Sequence, residues 1–67
     1  MGFEKAVLNT VAEVLGSNQE ASFTCGSLFV RCEPAESEAL LEVLRKNYTG
    51  KTYKAGPIQG EYAYDFL

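Results

Sequence analysis

The chain has 67 residues, 46% of them hydrophobic, with nine Asp or Glu against six Lys or Arg. That length holds one compact domain, residues 1–67, and leaves no room for a cofactor cleft between two domains. A chain this short buries only about 60% of its unfolded surface, so its stability is marginal and a homodimer is an expected remedy. The net charge of −3 argues against a nucleic-acid backbone as partner, because phosphate binding needs clustered bases.

Met1-Gly2-Phe3-Glu4-Lys5 lacks the basic leader and apolar run of a signal peptide, and no stretch approaches the roughly 20 apolar residues of a membrane span. A cytoplasmic protein with reduced thiols and no membrane contact is therefore expected. From Gly2 to Leu15 the apolar residues Phe3, Val7, Leu8, Val11, Val14 and Leu15 share one side of a 3.6-residue wheel, which predicts a helix stopped by Gly16. The opposite side mixes Lys5, Asn9 and Glu13 with the small residues Ala6, Thr10 and Ala12, and is a candidate surface for close approach of another helix.

Residues 16–20 read as a polar loop, followed by a hairpin from Ala21 to Cys32. With Gly26-Ser27 as a two-residue turn, Cys25 faces Leu28, Phe23 faces Val30 and Ala21 faces Cys32. Those six side chains then share a buried face, leaving Ser22, Thr24, Phe29 and Arg31 outside. Cys25 and Cys32 are expected as small core residues at opposite ends of the ladder, too far apart for a disulfide.

A second helix is expected from Pro34 to about Tyr48. Proline suits its first turn, Glu36 and Glu38 come early, Arg45 and Lys46 come late, and Leu40, Leu41, Leu44 and Tyr48 form the buried stripe. Glu38, Glu42, Arg45 and Lys46 form its solvated face. Thr49-Gly50 ends it. Alternation resumes at Thr52, with Tyr53, Ala55, Tyr62, Tyr64 and Phe66 of one parity across a turn within residues 56–60. A two-residue turn at Gln59-Gly60 sets Lys54 opposite Asp65, a longer loop sets Tyr53 opposite Tyr64, and both keep the aromatic face inward. The order helix, hairpin, helix, hairpin predicts an α+β fold: a four-stranded, mostly antiparallel sheet with both helices packed on one face.

The residues that carry chemistry are few. Gly50-Lys51-Thr52 looks like the end of a phosphate-binding loop, but Arg45 stands where its first glycine belongs, and the helix and strand come in the wrong order. Asn47-Tyr48-Thr49 fits a glycosylation pattern that matters only after secretion. There is no histidine to activate a Cys or Ser nucleophile, and two cysteines seven apart make a poor zinc site. Neither a catalytic residue, nor a metal, nor a cofactor is assigned, and an enzyme is not expected.

What remains is the outer sheet face: Ser22, Thr24, Phe29, Arg31, Thr52, Lys54, Glu61, Ala63 and Asp65. Phe29 breaks its polar character, and with Arg31, Ile58 and Ala63 it forms the candidate interaction site, since exposed apolar patches mark interfaces. The expected function is a small cytosolic module that binds another protein, in character like the accessory factors by which phages and mobile elements act on host proteins. The competing reading is a small nucleic-acid or ligand-binding domain using Phe29, Arg31, Lys51 and Lys54.

Overall fold

A computed structural model describes residues 2–16, 20–48 and 51–66. Helix α1 (Gly2–Leu15) leads to strands β1 (Glu20–Thr24) and β2 (Ser27–Arg31), then helix α2 (Pro34–Asn47), then β3 (Thr52–Ile58) and β4 (Glu61–Phe66). The four strands form one antiparallel sheet in the order β1-β2-β4-β3, and the helices pack on one of its faces. The predicted α+β architecture is thus present. Residues 17–19, 49 and 50, and with them most of the first loop, the Thr49-Gly50 stop and the glycine of Gly50-Lys51-Thr52, lie outside the described residues.

Local chemistry explains the helix ends. Gly16 adopts φ +96° while its N–H donates to the Ala12 carbonyl at 2.8 Å, a left-handed stop that glycine takes without a Cβ clash. At the start of α2 the Glu33 N–H donates to the Glu36 carboxylate at 3.0 Å, and Pro34 occupies the first turn, where no N–H is needed.

The first hairpin turns one residue earlier than the Gly26-Ser27 reading. Cys25 and Gly26 are its central residues, at φ +53° and +80°, the two positive angles of a type I′ turn. Phe23 therefore pairs with Leu28 and Ala21 with Val30, and these four still face the helices. Cys25 leaves the buried face altogether and stands exposed at the tip, whereas Cys32 is half-buried against the core.

The second hairpin also has a type I′ turn, at Gln59-Gly60 with φ +53° and +81°. Its ladder then slips: Ile58 pairs with Glu61, yet Ala55 pairs with Ala63 and Lys54 with Tyr64. Two residues of β3, Gly56 and Pro57, stand against Tyr62 alone, which is a β-bulge. One extra residue exchanges the faces of everything before it. Thr52 and Lys54, expected outside, point toward the helices, and Tyr53 and Ala55, expected inside, are exposed on the outer face.

The core is Val7 and Val11 of α1, Leu40 and Leu44 of α2, and Leu28, Val30, Tyr62 and Tyr64 of the two central strands. Four aromatics close one end of it. Phe3 sits edge-on to Phe23, Tyr48 and Phe66 at centroid distances of 5.8, 5.5 and 5.4 Å, although it keeps 48% of its surface exposed. Thr10, from the small-residue side of α1, is half-buried with its hydroxyl 3.3 Å from that of Tyr48.

The bulge depends on Gly56. Its φ is +109°, and a Cβ there would lie 2.9 Å from the Glu61 carbonyl oxygen. Gly56→Ala is expected to destabilise the fold by about 2 kcal/mol and lower its melting temperature by roughly 10 °C. Thermal unfolding followed by circular dichroism checks this.

Candidate functional site

The outer face of the sheet reads as three rows crossing all four strands. At one end Glu20, Arg31, Glu61 and Ile58 lie side by side; in the middle Ser22, Phe29, Ala63 and Ala55; at the other end Thr24, Ser27, Asp65 and Tyr53. Among the described residues no element covers this face, because both helices occupy the other one. Phe29 and Ala63 are neighbours at its centre, each half-buried by the strands around them. Ile58 and Tyr53 flank them at 75% and 64% exposure. Three of the residues expected at the site, Phe29, Ala63 and Ile58, thus belong to one patch. Tyr53, which the unbroken alternation of β3 concealed, adds a second aromatic ring.

Arg31, the fourth expected residue, borders the patch without giving it positive charge. Its Nε lies 3.2 Å from the Glu20 carboxylate, its Nη1 donates to the Gln59 carbonyl, and Glu61 is its cross-strand neighbour. At the far end the Ser27 hydroxyl donates to the Asp65 carboxylate. The patch is therefore an apolar strip between acidic groups. The hollow beside Phe29, lined by Glu20, Ser22 and Glu61, is shallow and open.

A second constellation lies on the helix side. Lys54 points inward at the first turns of α2, where its ammonium donates to the Ser37 hydroxyl at 3.2 Å and pairs with the Glu38 carboxylate. It also lies 5.1 Å from the centre of the Tyr62 ring. The buried Tyr64 hydroxyl donates to the Ser37 carbonyl at 2.9 Å. These bonds fasten the start of α2 to β3 and β4, and they remove Lys54 from the outer face, where the sequence had set it beside Arg31.

Cys32 belongs to this neighbourhood. Burial raises its thiol pKa, and Glu36 and Glu33 raise it further against the opposing pull of Lys54, so the thiol is protonated at neutral pH. Burial likewise pushes the Tyr64 hydroxyl far above the usual tyrosine range. Both shifts disfavour the nucleophilic or basic form. The cluster is built to hold protons and join elements. Among the described residues no group of three or more His, Cys, Asp or Glu side chains gathers as metal ligands would.

Two expectations follow from these environments. A thiol reagent at pH 8 should modify the exposed Cys25 quickly and the half-buried Cys32 at least about tenfold more slowly, the gap narrowing as alkali ionises Cys32. Peptide mapping over time reads both rates. Tyr64 ionises in the unfolded chain near pH 10 and stays protonated in the folded one, so the folded state binds the extra proton. Its contribution to stability is complete below pH 10 and is lost as pH rises above it. Tyr64→Phe should flatten that alkaline loss while costing about 1 kcal/mol at neutral pH, the net value of the hydrogen bond to the Ser37 carbonyl. Urea titrations at pH 7 and above pH 10 separate the two effects.

Compared with protein-family models, with curated sequences and with solved structures, the chain shows no match.

Proposed function

We propose that this chain is a protein-binding module and that its outer sheet face is where the partner docks. The observation that supports the reading is the uncovered strip of Phe29, Ala63 and Ala55, flanked by Tyr53 and Ile58, on the one sheet face that neither helix covers. Aromatic anchors within a polar border are the usual make-up of an interface centre. The border here is acidic: Glu20, Glu61 and Asp65 outnumber Arg31, which is itself paired. The partner fitted to it is a protein presenting an apolar centre with Lys or Arg around it. Small size and acidity are also the character of phage and mobile-element accessory factors that act on host proteins, and this face would give such a role its surface.

Charge favours this reading over a nucleic-acid partner. Lys54 is held on the opposite side by Glu38, so Arg31 and Lys54 do not join in one positive stripe. A phosphate backbone would meet carboxylates first.

Affinity capture from cells of the source organism, followed by mass spectrometry, tests the proposal. The natural chain should retain a protein that Phe29→Ala loses by at least about tenfold, and that Ile58→Ser weakens, with only modest dependence on salt. Circular dichroism confirms that both variants are folded. Capture indifferent to Phe29→Ala, or recovery of nucleic acid with steep salt dependence, overturns the proposal.

A further inference from the structure

The sheet has two edges, and they are built differently. An edge strand exposes unpaired N–H and C=O groups that invite another strand, and proteins blunt such edges with bulges, proline and inward-pointing charge. The β3 edge carries all three: the Gly56-Pro57 bulge, proline without an N–H, and Lys54 turned toward the helices. The β1 edge carries none of them. Glu20–Thr24 is an unbroken run whose inward residues are Ala21 and Phe23, and among the described residues nothing pairs with its outer side.

The register says which backbone groups point that way. The Cys25-Gly26 turn makes Thr24 and Ser27 the hydrogen-bonded pair next to it, so Glu20, Ser22 and Thr24 direct their backbone groups to β2. Ala21 and Phe23, in between, direct theirs outward.

We infer that β1 is a self-pairing edge: two copies of this chain join antiparallel through Glu20–Thr24 about a two-fold axis at Ser22, forming one eight-stranded sheet. Only this register sets the outward groups of Ala21 against those of Phe23 in the second copy, and those of Phe23 against Ala21, so that each pair exchanges both of its N–H···O bonds. Centring on Ala21 or Phe23 instead leaves one outward pair unmatched within the strand. Side chains fit the same register. On the helix face the half-buried Phe23 lies beside a small Ala21 and extends the core across the axis. On the outer face Ser22 meets Ser22, and Glu20 meets Thr24, so no like charges face each other. This joint uses the edge of the sheet and leaves the Phe29 strip open on both copies. A contact of five-residue strands is small, so the dimer is a weak one.

Sedimentation equilibrium of the full chain from about 10 μM to about 1 mM, with amide hydrogen exchange at both ends of that range, tests the inference. The mass should rise from monomer to dimer, and the Ala21 and Phe23 amides should exchange at least about tenfold more slowly at the upper concentration. Ser22→Arg, an exposed change that places like charges across the axis, should weaken association about fivefold. Ala21→Pro, which removes one outward N–H from each copy, should weaken it about 30-fold. Phe29→Ala should leave it unchanged. A monomer mass at 1 mM overturns the inference. So does a dimer in which the Ala21 and Phe23 amides exchange freely and Ser22→Arg has no effect. If Ala21→Pro fails to fold, Ser22→Arg and the amide rates still decide.

Discussion

One backbone position governs which chemistry this protein shows to solvent. At Gly56 the chain passes so close to the Glu61 carbonyl that no Cβ fits, and the angle it adopts, φ +109°, is one that other residues take only under strain. That close passage accommodates the one extra residue of the β3 bulge. Because side chains alternate with a period of two, the extra residue decides every face assignment from Thr52 to Ala55. It sends Lys54 under the sheet to Ser37 and Glu38, and it sends Tyr53 outward onto the face that Phe29 shares, beside Asp65. The anchoring of α2 and the aromatic content of the outer face both depend on it.

The size of the chain sets the other limit. Two helices of 14 residues each cover one face of a four-stranded sheet and no more. A larger α/β protein would cover both faces, and its strands would read as continuous apolar runs. Here the uncovered face carries charged and small residues along most of its area, which keeps it wetted, and the apolar groups are gathered into one strip. The concentration of Phe29, Tyr53 and Ile58 there, rather than their mere exposure, makes this face the natural place for a partner.

Much of this was legible in the residues. Both helices run as the spacing of Val7, Val11, Leu40 and Leu44 requires, and the order of elements and the one-sided packing follow from them. The face of the first hairpin was legible too, since Ala21, Phe23, Leu28 and Val30 point inward in either register. Its turn was not. Glycine favours either central position of a tight turn, and nothing about Cys25 signals that it takes a left-handed angle that cysteine seldom adopts. The face of β3 is the reverse of what unbroken alternation predicts, because the register slips at Gly56-Pro57. A glycine and a proline inside a strand pattern are themselves the mark of a bulge, so that signal was present in the sequence. The expected site residues Phe29, Arg31, Ile58 and Ala63 all lie on the outer face, with Phe29 beside Ala63 and Ile58 farther along on β3. Lys54, which the competing reading needs on that face, lies on the helix side, because its position depends on a slip that periodicity alone does not reveal.

The aromatic cluster ties together elements far apart in the chain. Phe3 belongs to the first helix and Phe66 to the last strand, and their rings meet at 5.4 Å, with Phe23 and Tyr48 in the same group. Neither α1 nor β4 can peel away without opening the packing of the other. Gradual fraying, the usual weakness of a small domain, is thereby replaced by a choice between intact and fully open, so this chain should melt as one cooperative unit.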